Sequence, residues 1–237
     1  MQCIFKRQEK KYIVTMEQKA VLQEQLARYM MIDRSCEYLV HNLYYDTANW
    51  DIIRESIEKP LYKEKLRLRF YDNYNPASQG FLELKKKYDG ILYKRRIAFS
   101  LGEIKKRSVR EIAEGTDSQI SREIRFFLNN KNVSEKIFIA YKRIAYNSSD
   151  SGFRITFDRD IRFHLDPLGN ICNENGREIL NKNFTIMEIK ISDAIPLWLT
   201  HTLSVNKIFP VSFSKYGACF MKHLSVRKDL KEAEDAA

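Results

Sequence analysis

Residues 59–96 alternate between charged and apolar side chains, and this alternation constrains the fold more than any other feature of the sequence. In one segment, cations occupy every second position: Lys63, Lys65, Arg67 and Arg69. The positions between the later cations carry Leu66, Leu68 and Phe70. Because successive side chains of a strand point to opposite faces of a sheet, this segment is predicted to be a strand with one cationic and one apolar face.

The next two segments repeat the pattern. Between Gly80 and Gly90, one face carries three charged side chains: Glu83, Lys85 and Lys87. In residues 91–99, Lys94 and Arg96 oppose an apolar set. The three segments predict an antiparallel meander. Residues 59–96 hold eleven Lys and Arg against four Asp and Glu, a surplus of seven out of the formal net charge of +10 of the 237-residue chain.

Similar alternation recurs far from this meander and predicts four further strands. In these strands, polar or charged side chains share a face in four sets: Arg7, Glu9 and Lys11; Tyr141 and Arg143; Arg154, Thr156, Asp158 and Asp160; Glu188 and Lys190. Strands this numerous, separated by turn signals, are typical of an antiparallel sheet or a closed barrel.

Helix signals separate these strands. Thr15 and Gln18 form a capping box that opens a predicted helix at residues 16–31. Other helices are predicted at four places: after Ser100 with Glu103, at residues 118–128, after Asp193 with Pro196, and after residues 214–217. Helices need an apolar surface to pack on, so they should cover the apolar face of the sheet and leave the charged face inside.

These patterns predict an α+β fold, in which an antiparallel sheet or a closed barrel carries helices on its apolar face. Residues 1–237 contain no linker or repeat and are predicted to form one domain, with a frayed tail at 227–237. Two like charges ~7 Å apart inside the barrel would repel by roughly 2 kcal/mol at an effective dielectric of 20. The lumen is therefore favourable only when a polyanion fills it, and neutralising Arg67 or Arg69 is expected to leave stability equal or higher. An open sheet lying on nucleic acid is the rival geometry.

Several classes of function are excluded by motifs that the sequence lacks. It has no glycine-rich phosphate loop and no nucleophile elbow, so any phosphate chemistry must use side chains. The cysteines at positions 3, 36, 172 and 219 are dispersed, which argues against a zinc site and against a disulfide scaffold. The first residues turn polar at once, and the apolar runs are far shorter than the ~20 residues that span a bilayer. A cytoplasmic location is expected.

An ordered set of motifs extends from about residue 5 to residue 224. The motifs are Arg7-x-Glu9-x-Lys11, Tyr45-Asp46-Thr47, Lys65-x-Arg67-x-Arg69, Glu83-x-Lys85, Arg143, Arg154, Glu188-x-Lys190 and Phe213-Ser214-Lys215-Tyr216. Each motif alone is common, but the ordered set is fairly specific. In this set the chain resembles the triphosphate tunnel metalloenzymes and, within them, the VTC-type polyphosphate polymerase domain.

The resemblance implies a closed antiparallel β-barrel of about eight strands with helices packed outside. It also implies transfer of the γ-phosphoryl group of ATP to a growing inorganic polyphosphate chain, with Mn²⁺ or Mg²⁺ as the cofactor. Five cations match catalytic positions: Lys11, Arg67, Arg69, Lys85 and Lys190. Five more are expected to bind the substrate: Lys94, Arg143, Arg154, Lys215 and Arg7. Glu188 matches the metal-binding acid, and Glu9 and Glu83 are expected to help hold the metal.

Arg7 departs from the hydrolytic branch of the same superfamily. The CYTH triphosphatases and class IV adenylyl cyclases open with E-x-E-x-K, and here Arg7 replaces the first Glu. Losing an acid weakens the binding of a second metal ion, which favours the polymerase branch. Two alternatives stay open: a triphosphate or nucleotide hydrolase or cyclase, and a non-catalytic module that binds polyphosphate.

The expected partners follow from the same resemblance. They are ATP and inorganic polyphosphate or triphosphate, and nucleic acid is not expected. The resemblance also leaves room for a membrane partner protein that receives the chain, and for association with the inner face of a membrane through that partner.

Overall fold

The computed structural model describes residues 8–33, 37–149, 152–165, 176–192 and 194–234, with side chains described up to residue 224. The strands in these ranges are β1 (Gln8–Thr15), β2 (Met31–Ile32), β3 (Tyr38–Asp46), β4 (Tyr62–Tyr71), β5 (Gln79–Tyr88), β6 (Ile91–Ser100), β7 (Ser134–Asn147), β8 (Phe153–His164), β9 (Arg177–Glu178) and β10 (Phe184–Ile191). The α-helices are α1 (Met16–Tyr29), α2 (Asp51–Ile57), α3 (Val109–Glu114), α4 (Gln119–Lys131), α5 (Leu197–Val205) and α6 (Lys215–Glu234). A 3₁₀-helix spans Leu101–Lys105. None of the described helices has both the length and the apolar character that crossing a membrane requires.

The strands form one antiparallel sheet, and the fold is α+β as predicted. Eight strands follow one another in the order β1-β10-β8-β7-β3-β4-β5-β6. The two-residue strands β2 and β9 pair with β7 and β8, respectively.

The predicted closure of the barrel is not confirmed. Within the described ranges, hydrogen bonds pair β1 only with β10 and β6 only with β5, so the sheet is open between its two ends. The outer edge of β1 is partly occupied by the segment that follows α5, where the Val211 amide donates to the Lys11 carbonyl at 2.7 Å. The Lys11 carbonyl is therefore not free to pair with a strand that would close the barrel.

The charged meander of β4, β5 and β6 is confirmed. Lys65 lies opposite Lys85 on the neighbouring strand, and Lys85 lies opposite Lys94. Directly paired residues of antiparallel strands share a face, so these three cations lie on the same side of the sheet.

Most of the predicted helices are confirmed. The capping box of Thr15 and Gln18 opens α1, and the box of Ser100 and Glu103 opens the 3₁₀-helix. Helices α4 and α6 lie where predicted, and α6 continues to Glu234 through the segment predicted to fray. Helix α5 lies where predicted, but its N-cap position is Pro196 and not the predicted Asp193, which lies outside the described residues. Helices α2 and α3 were not predicted.

The helices cover both faces of the sheet, which corrects the prediction that all of them pack outside. Core residues of α1, α4 and α5 pack against the apolar side chains opposite the cationic row. Ile53 of α2 and Tyr216 and Phe220 of α6 instead pack against Ile139 and other side chains on the same face as the cations. Helices α2 and α6 therefore fill part of the face that was predicted to be an open lumen.

The packing of α6 on this face predicts unequal costs for two adjacent substitutions. Phe220→Ala should lower the free energy of unfolding by about 3–5 kcal/mol, because it removes a buried ring. Met221→Ala, at the neighbouring exposed position, should change it by less than about 0.5 kcal/mol. Urea unfolding monitored by circular dichroism measures both values. Similar values for the two variants would contradict the position of α6.

Candidate functional site

A cavity of about 650 Å³ lies on the cationic face of the sheet, bordered by α2 and α6. Glu9 of β1 and Lys85 of β5 both line this cavity, although β1 and β5 are far apart in the strand order. The sheet must therefore curve around the cavity, with its cationic face on the concave side.

The lining of the cavity is strongly cationic. Its cations are Lys11, Lys59, Lys63, Lys65, Arg67, Arg69, Lys85, Lys87, Arg143, Lys190 and Lys215. Its acids are Glu9 and Glu188. The cations of distant strands thus converge on one space, as their alternation along the sequence predicted.

Nine of the predicted site residues meet in this cavity: Lys11, Arg67, Arg69, Lys85, Lys190, Arg143, Lys215, Glu9 and Glu188. Of the other four, Glu83, Lys94 and Arg154 lie outside its lining. Lys94 pairs with the buried Glu83, with Nζ 2.5 Å from Oε1. Arg154 points to Asp33, with Nη2 2.7 Å from Oδ2. Arg7 lies outside the described residues.

Two fully buried acids behind the cavity hold two of its three arginines in place. Arg67 donates from Nε and Nη2 to Glu83 Oε2 at 2.9 and 2.7 Å. Arg143 donates from Nε and Nη2 to the two carboxylate oxygens of Asp158 at 2.6 and 2.7 Å, and Lys215 Nζ lies 2.6 Å from Asp158 Oδ2. Burial alone would raise the pKa of Asp158, but Arg143 and then Lys215 outweigh it and hold that pKa below its ordinary value.

The opposite wall of the cavity is not neutralised. The β4–β5 wall is our name for three cations of this side: Lys65, Arg69 and Lys85. In the described part of the chain, no carboxylate oxygen lies within 4 Å of their side-chain nitrogens. Arg69 donates instead to two neutral groups, Asn42 Oδ1 at 2.8 Å and Tyr141 Oη at 3.1 Å. Among the described residues, no direct ion pair offsets the positive charge that this wall carries when its side chains are protonated, so the wall would attract an anion.

The lysines of the β4–β5 wall have lowered pKa values. Burial, followed by the charges of Lys63 and Lys11, lowers the pKa of Lys65 to about 7. The charge of Arg67, followed by burial, lowers the pKa of Lys85 well below its ordinary value. A bound anion would reverse these shifts, because an opposite charge favours the protonated amine.

Glu9 and Glu188 are the acids that could hold a divalent metal. Both lie beside Lys11, whose Nζ is 3.3 Å from Glu9 Oε1 and 3.6 Å from Glu188 Oε1. Burial would raise the pKa of Glu188, but Lys190 and Lys215 outweigh it and keep the carboxylate charged. The described residues contain no cluster of three or more His, Cys, Asp or Glu suited to a metal.

Two carboxylates nevertheless fit the usual Mg²⁺ or Mn²⁺ site, in which one or two acids and the phosphates of the substrate share the ion. Glu83 does not fit this role. Its carboxylate is fully buried and already bound by Arg67 and Lys94.

Sequence reasoning assigned no role to several residues that line the cavity. Lys63, Lys65 and Lys87 lie on the cationic face that the alternation predicted, but they were not assigned to the site. Tyr44 and helix α2 gave no comparable signal, since Tyr44 lies in a mixed strand and α2 has only seven residues.

The domain is a curved antiparallel sheet whose concave face holds a cationic cavity. The sequence profile of the VTC domain matches residues 6–223. The chain belongs to the VTC domain family. No curated protein sequence matches it.

Solved structures are similar to this chain at low sequence identity. One is a proposed adenylyl cyclase from Hippeastrum, described as having a dominant triphosphatase activity. It has a TM-score of 0.53 and 16% identity, over 88% of this chain and 92% of that chain. Another is a proposed adenylate cyclase from Vibrio parahaemolyticus, with a TM-score of 0.47 and 13% identity, over 92% of this chain and 99% of that chain. At such identity the likeness concerns the fold alone.

The buried pairing of Arg67 changes the expected effect of neutralising it. Arg67→Ala should lower the free energy of unfolding by about 3–5 kcal/mol, because it leaves the buried Glu83 with one cation fewer. Lys65→Met should leave stability equal or higher, because it relieves repulsion and removes no ion pair. Urea unfolding in phosphate-free buffer measures both. Equal losses of stability in the two variants would contradict the division of the cavity into cations paired with buried acids and cations without such a partner.

The lowered pKa of Lys65 predicts that triphosphate binding depends on pH. Above pH 7, Lys65 is mostly neutral in the free protein and must take up a proton when the anion binds. Affinity should therefore fall as pH rises from 7 to 9, by at most about tenfold per unit for this group. In Lys65→Arg the side chain stays charged, so the part of the pH dependence of affinity that comes from residue 65 should disappear. Calorimetric titration with inorganic triphosphate at several pH values tests this, and a wild-type slope in the variant would refute it.

Proposed function

We propose that the protein transfers the γ-phosphoryl group of ATP to inorganic polyphosphate inside this cavity. A terminal oxyanion of the polyphosphate attacks the γ-phosphorus, a new P–O bond forms, the bond to the β-phosphate oxygen breaks and ADP leaves. The observation that supports the proposal most strongly is the distribution of charge: eleven cations line the cavity against two acids.

The proposed residues match the needs of phosphoryl transfer, which depends mainly on positioning and electrostatic stabilisation. Five cations would stabilise charge on the transferred group: Lys11, Arg67, Arg69, Lys85 and Lys190. Arg143 and Lys215, held by Asp158, would bind neighbouring phosphates. No general base is needed, because the acceptor is already an oxyanion.

The two lining acids have a separate proposed role. Glu188 and Glu9 would hold Mn²⁺ or Mg²⁺. When bound, the ion would offset negative charge on the phosphoryl oxygens. Glu83, Lys94 and Arg154 are better supported as residues that stabilise the cavity from behind or beside it. A membrane partner that receives the chain, and a cytoplasmic location, stay predictions.

Lys85 offers the sharpest test, because no ion pair within the described residues depends on it. Lys85→Gln should lower kcat/KM by about 10²–10³-fold, the cost of losing one donor to developing charge, with no loss of stability. Lys106→Gln removes the same charge at an exposed position away from the cavity and should leave kcat/KM nearly unchanged.

The assay is incubation with ATP and Mn²⁺, followed by a gel that resolves phosphate polymers and by measurement of ADP. A polymer ladder with ADP in the wild type and its loss in Lys85→Gln are expected. Orthophosphate without polymer would favour the hydrolase alternative, and tight binding without turnover would favour a non-catalytic module. Equal losses in both variants would indicate diffuse electrostatics rather than a site.

A further inference from the structure

Two motifs of the sequence, Tyr45-Asp46-Thr47 and Ser214-Lys215-Tyr216, have no part in the proposed chemistry apart from Lys215. They lie far apart in the sequence but meet in the structure. Tyr216 Oη donates to Asp46 Oδ2 at 2.7 Å, and both residues are buried. Burial, followed by the charge of Asp46, raises the pKa of Tyr216, so its phenol remains a hydrogen-bond donor.

Asp46 also fixes the start of helix α2. Its Oδ1 accepts from the Ile52 amide at 2.9 Å, and its Oδ2 accepts from the Ile53 amide at 3.0 Å. Trp50, the residue at the cap position, has a left-handed backbone with φ 63° and makes no side-chain capping bond. The carboxylate of Asp46 therefore replaces the usual N-terminal cap of this helix.

Tyr216 is linked to the cavity by its ring and through its neighbour Lys215. Lys65 lies over the ring, with Nζ 5.8 Å from the centroid. The Tyr216 ring also stacks on Tyr44, with centroids 4.6 Å apart and planes at 18°. Tyr44 Oη in turn accepts from Arg67 Nη1 at 3.2 Å. The residue before Tyr216 is Lys215, whose Nζ lies 2.6 Å from Asp158 Oδ2 and 4.7 Å from the centroid of the Tyr141 ring.

The Asp46–Tyr216 hydrogen bond thus joins the two helices that border the cavity. Ile53 and Ser56 of α2 and Lys215 and Ala218 of α6 line it. Both helices are anchored to the sheet at one buried carboxylate, which accepts a fourth hydrogen bond from the Thr47 amide at 2.8 Å. If the bond to Tyr216 is lost, α6 keeps its apolar packing but loses its polar link to α2.

We propose that Asp46 and Tyr216 are positioning residues, which set the placement of Arg67 and Lys215 for phosphate by fixing α2, α6 and the Tyr44 ring. This proposal rests on the proposed function of the cavity as a triphosphate site. Neither residue lines the cavity, so neither is expected to touch the substrate. Their effect passes through Tyr44 to Arg67 on one side and along the first turn of α6 to Lys215 on the other.

The test compares two tyrosines that each lose one hydroxyl hydrogen bond. Tyr216→Phe removes the bond to Asp46 and keeps the ring that stacks on Tyr44. Tyr146→Phe is the matched control, because Tyr146 Oη accepts from Gln23 Nε2 at 2.9 Å in the core on the opposite face of the sheet. Both variants should melt at lower temperature than the wild type.

Calorimetric titration with inorganic triphosphate, without metal and well below both melting temperatures, measures the effect on the site. Tyr216→Phe should bind on the order of tenfold more weakly, because small misplacements of charged groups are costly. Tyr146→Phe should bind like the wild type. Amide hydrogen exchange at Ile52 and Ile53 should be faster than in the wild type in Tyr216→Phe but not in Tyr146→Phe.

A second variant tests whether the two residues act through one bond. Asp46→Asn should weaken binding, and the double variant with Tyr216→Phe should be no weaker than Asp46→Asn alone, since coupled residues are not additive. If Asp46→Asn does not fold, the comparison of the two tyrosines still decides the matter.

The outcomes separate the two proposals. Wild-type protein that does not bind triphosphate would overturn the proposed function, and the positioning role with it. Wild-type binding with equal affinities in Tyr216→Phe and Tyr146→Phe would overturn the positioning role alone.

Discussion

Repulsion among cations on one concave surface is the constraint on which the rest of this structure depends. Side chains that would be harmless on a convex surface converge here on a single cavity. At an effective dielectric of 20, each pair of charges ~7 Å apart costs roughly 2 kcal/mol. The fold offsets part of this cost with buried carboxylates, since Glu83 pairs with Arg67, and Asp158 pairs with Arg143 and Lys215.

The remaining charge is distributed unevenly between the two sides of the cavity. The side formed by β1 and β10 carries Glu9 and Glu188 among its cations, whereas the β4–β5 wall has no carboxylate partner among the described residues. A polyanion would gain most beside the β4–β5 wall, and a metal ion would gain most on the other side. The two preferences are compatible in a substrate whose phosphates contact both sides.

The sequence predicted the parts of this arrangement that depend on local periodicity. Alternation identified the strands and the cationic face, because a strand's side-chain period of two needs no tertiary information. It did not reveal that Arg67 and Lys94 bind Glu83 so completely that this acid is unavailable to a metal. That outcome depends on burial and on contacts across strands.

Features that depend on long-range contacts were not predicted. Helix α2 has only seven residues and takes its cap from Asp46 rather than from the residue before it. The open edge of the sheet arises where Val211 pairs with Lys11, in a segment without alternation. Apolar residues of α6 were predicted to cover the outside, yet Phe220 packs on the concave face because α2 provides a partner there.

The most direct test of the central claim is the melting temperature of the wild-type protein as inorganic triphosphate is added at constant ionic strength. If the cavity is a polyanion site that carries unbalanced charge when empty, the melting temperature should keep rising with ligand, with about 2.7 kcal/mol of stabilisation at a hundred times Kd. Sodium chloride at the same ionic strength should have a much smaller effect, because it only screens the repulsion. Equal melting temperatures in triphosphate and in sodium chloride would contradict the account.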